Sequence, residues 1–243
     1  MELILFRKNN DLILGGVVKE IKNGVSAKGN PFVTLKIEGS AFDEEMQMDL
    51  DKEMDVTFTD NEHISWTERI EAMKIAEGAA VFIQGREVAP AEGSNYAPSV
   101  YGSAITYASG RGHVFTIRGK DETEKDVKII LGKAKYAEKD DSKGTASIAV
   151  SVMAYNKDTK ENYWCNYKLK VKDNKEKNIT KAKPLYDAFI GPRDAKGKFG
   201  VFETYGDPFV SDKQKDAEHP TVVHYTLNSW KMYELPEKPT TAN

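Results

Sequence analysis

The chain of 243 residues has a single cysteine, Cys165, and four histidines. One thiol cannot close an intrachain disulfide or supply a thiolate zinc cluster, and it fits a reducing compartment, the cytoplasm. No apolar run approaches the roughly 18 residues of a membrane helix. The apolar stretch before Arg7 and Lys8 is too short for a secretory signal core, so no membrane association is expected. No Gly-rich GxxxxGK[ST] loop offers a phosphate cradle. An excess of basic charge is also missing: the net charge is −3, which excludes a uniformly basic nucleic-acid coat. What is present is 40 % hydrophobic and 30 % charged, enough to build a core and to exclude wholesale disorder. The length suits one large domain or two of about 120 residues.

Charge is distributed unevenly. Residues 1–120 carry 13 Lys and Arg against 18 Asp and Glu, whereas residues 121–243 carry 22 against 20. Between Asp43 and Glu62, nine acidic residues meet only Lys52. The near-neutral total therefore conceals an acidic first half and a mildly basic second.

The two halves repeat. Asp11 to Gly15 (DLILG) recurs as Asp126 to Gly132 (DVKIILG), with the glycines 117 residues apart. Val81 to Gly85 recurs loosely as Val201 to Gly206, 120 apart at the valine, and a last strand begins at Ser99 and again at Thr221. A drifting offset of this kind is the trace of a duplicated domain with loop insertions. In the first half, strands are expected over Leu12–Ile21, Phe32–Ile37, Met54–Thr59, Ala79–Val88 and Val100–Ala108. A helix capped by Ser65 is expected over Ser65–Ala76. In the second half, strands are expected over Val127–Tyr136, Thr145–Tyr155, Tyr163–Val171, Phe199–Tyr205 and Thr221–Tyr233. A helix over Lys181–Phe189 has Pro184 in its first turn and Gly191-Pro192 as its stop. A helix between the third and fourth of five strands is the OB-fold order. The expected class is therefore all-β with short helices: two tandem OB-fold five-stranded Greek-key barrels. The first spans 1–120 with an acidic insertion, and the second 121–243 with a Lys- and aromatic-rich face.

Trp66 to Arg86 (WTERIEAMKIAEGAAVFIQGR) resembles the helix-to-fourth-strand segment of bacterial and phage single-stranded-DNA-binding proteins. In the second half, Val127 to Gly132 resembles the family's opening strand, Tyr163 to Lys168 its Trp-bearing third strand, and Tyr225 to Met232 its last. The chain departs from the family in lacking a Glu-Trp-His-Arg run around Trp164. It also ends Glu237 to Asn243 without an acidic, Phe-ended tail, so recruitment of partners through such a tail is not expected. The resemblance implies a non-enzymatic protein that takes no cofactor. It would bind and protect single-stranded DNA with little sequence preference in replication or recombination, in a phage or other mobile element and hence in host cytoplasm. Replication or recombination proteins are possible partners, and a homodimer would bring four barrels together.

The residues themselves support a single-strand reader in the second half. Such a face stacks bases on exposed aromatics while cations track the phosphates. Alternation puts Tyr163, Cys165, Tyr167, Leu169 and Val171 on the core side, and Trp164, Asn166, Lys168 and Lys170 on the other. On the neighbouring strand, Ser147, Ala149, Ser151 and Met153 leave room for a ligand beside Tyr155. Lys133 and Lys135 line the same groove. The corresponding candidates in the first half are Lys28, Phe32, Lys36, Phe82 and Arg86, with Trp66 expected to plug the barrel bottom and the acidic block repelling a polyanion. Arg111, His113 and Arg118 read as linker. Catalysis finds little support. Asp49, Asp51, Glu53 and Asp55 alternate but read as a solvated acidic loop, His219 and His224 have no second ligand pair nearby, and Cys165 has no neighbouring base. An OB scaffold that binds protein in a replisome or virion is the alternative from another class.

Overall fold

The computed structural model describes residues 2–90, 99–119, 124–156, 159–189, 198–210 and 222–235. Among the described residues, twelve strands and two short helices follow one another. The first compact unit comprises the described residues up to Ala108 together with Leu235, and the second runs from Ser109 to Glu234. The first unit contains β1 (Ile4–Lys8), β2 (Asp11–Val25), β3 (Pro31–Asp43), β4 (Met48–Thr59), α1 (Trp66–Ala72), β5 (Ala80–Val88) and β6 (Ser99–Tyr107). The second contains β7 (His113–Ile117), β8 (Val127–Asp140), β9 (Thr145–Asn156), β10 (Glu161–Lys172), α2 (Ala182–Phe189), β11 (Lys198–Val210) and β12 (Val222–Met232).

In the first unit the strands run β2-β3-β4-β6-β5, and β5 returns to pair with β2, closing five strands into a barrel. The β4–β6 pairing is parallel and the others are antiparallel. The second unit repeats this as β8-β9-β10-β12-β11 with β11 back on β8, again with one parallel pairing, β10–β12. A helix stands between the third and fourth barrel strands of each. The chain is a tandem of two OB-type barrels.

Each barrel also carries a strand the sequence reading did not include. β1 lies against β2, and β7 lies against β8 through His113↔Leu131 to Ile117↔Val127. The segment read as linker around His113 is thus part of the second unit. Its ring packs edge-on against Phe115 at 4.5 Å. The acidic stretch is likewise ordered: Asp49 to Asp55 lies on β4, paired along its length with β3. The outward carboxylates alternate with inward Leu50, Met54 and Val56, the period of two that a strand demands.

The interiors explain the closure. Leu12, Leu14, Val18, Leu35, Ile37, Phe58, Val81 and Ile83 fill the first barrel; Ile130, Ala134, Ile148, Val150, Leu169, Phe202 and Leu227 fill the second. A tightly curved small barrel needs a glycine where strands cross closely. A Cβ on Gly16 would come within 2.7 Å of the Glu38 carbonyl oxygen, and one on Gly132 within 3.1 Å of that of Ser151. These two glycines are therefore equivalent, and the match of Gly15 to Gly132 made from sequence slips by one residue. A slip of one exchanges the two faces of a strand; here it would set Gly15, which lies on the same face as Ile13, against an interior position.

Both helices are anchored by the same device. Asp60, just beyond β4, accepts from the Thr67 backbone N–H (2.9 Å) and the Ser65 hydroxyl (3.1 Å). Asp173, just beyond β10, accepts from the backbone N–H groups of Lys181 and Ala182, both at 2.8 Å. An acceptor at a helix start satisfies orphan donors and favours negative charge. The first helix is shorter than expected because Lys74 takes a left-handed conformation (φ 56°) after the cap at Met73. Trp66 plugs the barrel as expected, buried with its ring 5.1 Å from Phe58. The proposed helix stop at Gly191-Pro192 and His219 lie outside the described residues.

Candidate nucleic-acid interface

The outer face of β8, β9 and β10 is a ladder whose rungs follow from register. One rung joins Lys133, Ser151, Asn166 and, on β12, Val222. The next joins Tyr136, Ala149, Lys168 and His224, and the third Glu138, Ser147, Lys170 and Thr226. Beyond them Trp164 stands opposite Met153, and Tyr155 opposite Asn162. Trp164 is 42 % exposed and Tyr155 56 %. Small residues keep the floor low: Ser147 and Ser151 are covered by the longer side chains around them.

Several groups on this face are oriented by one another. The Ser151 hydroxyl donates to Asn166 Oδ1 at 2.6 Å. Lys135 Nζ lies 5.8 Å from the centre of the Trp164 ring, a cation–π arrangement. Lys168 Nζ donates to Glu138 Oε2 at 2.8 Å, and this lysine holds the Glu138 carboxyl below its ordinary value. Among the described residues, Lys133, Lys135 and Lys170 have no carboxylate partner. Over these rungs the face presents four lysines, at 133, 135, 168 and 170, against Glu138, and the next rung adds Asp140 and Lys172.

The same register gives each position in the first barrel its equivalent in the second. Lys36 of β3 pairs with Asp55 of β4, as Ala149 of β9 pairs with Lys168 of β10. Asp51, Glu53, Asp55 and Thr57 consequently occupy the positions of Trp164, Asn166, Lys168 and Lys170. Three lysines, Lys19, Lys22 and Lys36, face five carboxylates there: Glu20, Glu38, Asp51, Glu53 and Asp55. All three lysines are engaged. Lys19 bridges Glu53 and Glu38, Lys22 meets Glu20 at 2.8 Å, and Lys36 lies 3.4 Å from Glu53 and 3.8 Å from Asp55. The Glu53 carboxyl is held below its ordinary value, chiefly by the hydrogen bond from Lys19.

The bulge in the first strand of each barrel shows the divergence at one position. It falls between Val18 and Glu20 in β2 and between Ala134 and Tyr136 in β8, and each bulged residue is a lysine. Lys19 is captured by glutamates, whereas Lys135 stands over Trp164.

Of the first-half candidates, three are placed otherwise than expected for a binding surface. Phe82 is fully buried, with Gly15 and Thr106 as its strand neighbours, so it offers no stacking surface. Arg86 is exposed but forms a two-pronged bond to Asp11 at 2.9 and 3.1 Å, which raises the guanidinium's affinity for its proton. Phe32 is half-buried and its ring covers Gly24 on the neighbouring strand. Lys28 remains exposed in the β2–β3 turn, and Lys36 belongs to the carboxylate network already described. In the second half, Tyr163 is exposed rather than in the core, because the far ends of β9 and β10 extend past the barrel's packed interior.

Tyr136 and His224 were missed as site residues. Simple alternation from Lys133 makes Lys135 outward and Tyr136 inward, but the bulge shifts the phase and leaves Tyr136 exposed on the outer face. His224 reaches the ladder only through the parallel pairing of β12 with β10, which joins residues far apart in sequence.

Over nearly its full length the chain aligns with a solved single-stranded DNA binding protein. The wild-type single-stranded DNA binding protein from Thermus aquaticus aligns at 12 % identity over 98 % of each chain, with a TM-score of 0.33. A deletion mutant of that protein aligns at 13 % identity over 95 % of this chain and 97 % of its own, with a TM-score of 0.31. A Plasmodium falciparum SSB complexed with ssDNA aligns at 13 % identity over 43 % of this chain and 98 % of its own, TM-score 0.31. No protein-family model matches the chain, and no curated protein does. Among the described residues, no helix is long and apolar enough to cross a membrane, and no group of three His, Cys, Asp or Glu side chains is arranged to hold a metal ion.

Proposed function

We propose that the second barrel binds single-stranded DNA without covalent chemistry, on the outer face of β8, β9 and β10, in replication or recombination. The observation that carries this reading is the substitution of Trp164, Asn166, Lys168 and Lys170 for Asp51, Glu53, Asp55 and Thr57 at equivalent register positions. An exposed indole supplies a sequence-tolerant stacking platform, and three lysines without carboxylate partners, together with Lys168, supply phosphate contacts. The first barrel repels a polyanion at the same face, so one binding face per chain is expected. Its acidic network suits an assembly role, such as contact with a replication protein or a second copy.

The test is a fluorescence titration with oligo(dT) of about thirty nucleotides, alongside a duplex of the same length. Three to four displaced counterions give a log–log salt slope of about −2 to −3, taking about −0.7 per phosphate on a single strand. Failure to bind at low salt, or equal affinity for the duplex, overturns the reading and favours the protein scaffold.

Glu138 is the built-in competitor of this site. In a Glu138→Gln variant Lys168 loses its carboxylate and becomes available to a phosphate. Oligo(dT) affinity is expected to rise about threefold to fivefold at low salt, the scale of a partly exposed ion pair. Unchanged affinity would mean that Lys168 does not contact the strand.

A further inference from the structure

The β10–β12 edge of the ladder holds a group that the fold leaves unsatisfied. Lys168 pairs in register with His224, and both line a groove of 520 Å³ together with Lys170, Glu138 and Ser147. His224 Nε2 is buried and has no hydrogen-bond partner. An unpaired buried polar nitrogen is costly, and a groove-lining one is a place where a ligand atom belongs. The far side of the imidazole is closed by Phe209 of β11, whose ring meets it edge-on at 6.0 Å.

We infer that Lys168, Lys170 and His224 form a phosphate subsite, in which His224 takes up a proton as a phosphodiester of the bound strand enters. The inference rests on the single-strand reading and adds a named contact and a proton linkage to it. The charged surroundings of His224 define the linkage. From β10 come Lys168 and Lys170, and across the groove from β8 come Glu138, already engaged by Lys168, with Lys139 and Asp140 at the groove's margin. β9 contributes only Thr145, Ala146 and Ser147, and Asp207 of β11 is turned to Lys125.

In the free protein burial, and then the neighbouring Lys168 charge, hold the imidazole below its ordinary value, so it is neutral at about pH 7. A phosphate oxygen between Lys168 and Nε2 outweighs both influences. It offsets the lysine's repulsion and accepts a hydrogen bond from the Nε2 proton, which the buffer supplies. The imidazole therefore binds its proton more tightly in the complex than in the free protein. By reciprocity, a lower pH strengthens the complex across the interval between the two values.

The experiment compares the full chain with a His224→Gln variant, which keeps a neutral polar side chain of similar length. Oligo(dT) of about thirty nucleotides is titrated at constant ionic strength from about pH 8 to about pH 6. The parent chain is expected to tighten about threefold to tenfold, within the tenfold-per-unit limit of one linked proton. The variant is expected to lose this pH dependence and to give an affinity that stays flat over the same interval. Calorimetry in two buffers of different ionisation enthalpy provides the second readout: proton uptake on binding in the parent, and its loss in the variant. Binding by both proteins with the same pH slope, or without proton uptake in the parent, overturns the subsite alone. Absence of binding at every pH overturns the single-strand reading and the subsite with it.

Discussion

Trp164→Ala is expected to weaken oligo(dT) binding by about 1–3 kcal/mol, the worth of a stacked base, or roughly 5- to 150-fold. The indole is half in solvent at the end of a rung-by-rung array of polar side chains, with Lys135 over its ring. Trp164 is not among the side chains packed against the second core, so the substitution removes a platform and little stability. Fluorescence separates it from the other two tryptophans: Trp66 is buried against Phe58, and Trp230 packs partly against the second core. Quenching on addition of oligo(dT) should therefore come mainly from Trp164 and vanish in the variant. Affinity that survives the substitution within a factor of about two would remove the indole from the binding surface. Trp164→Asp, which copies Asp51 of the first barrel, should be worse than alanine because it adds a repelling charge at the same place.

Phe202→Ala carries the largest expected effect on stability, a loss of about 3–5 kcal/mol from an emptied aromatic site. Phe202 is fully buried, pairs in register with Ile130 and Trp230 on its two neighbouring strands, and meets the ring of Phe189 from α2 at 5.2 Å. It thus joins the barrel-closing strand to the helix. Urea denaturation should show the midpoint falling while the dependence on denaturant stays the same, the signature of lost stability without a changed unfolded state. A midpoint shift equivalent to less than about 1 kcal/mol would show that the barrel relaxes into the space.

The order of strands and the position of each helix were legible because they rest on local signals. Val33, Leu35 and Ile37 alternate with polar residues, and Ser65 sits where a cap belongs. The candidate face of the second barrel was legible for the same reason: Trp164, Asn166, Lys168 and Lys170 follow a period of two on an unbroken strand. Phe82 was misread because alternation distinguishes two faces of a strand but cannot show that both are covered. Tyr163 was misread in the opposite direction, since a strand continues beyond the end of its core. Arg86 read as a free cation because its partner, Asp11, lies on another strand 75 residues away.

By itself the sequence determined two barrels, their strand order, and a second half with lysines and an indole on one side of its third strand. Alternation and capping act between neighbours in the chain, and neighbours are what a sequence displays. Tertiary structure decided the rest. Bulges at Lys19 and Lys135 reset the phase of the opening strands, and barrel closure aligned Gly16 rather than Gly15 with Gly132. Pairing between strands placed lysines among glutamates in one barrel and, among the described residues, left Lys133, Lys135 and Lys170 without a carboxylate partner in the other. Cross-strand register alone brought His224 to Lys168. These outcomes depend on which residues from distant segments share a rung, and that is fixed only when the sheet closes.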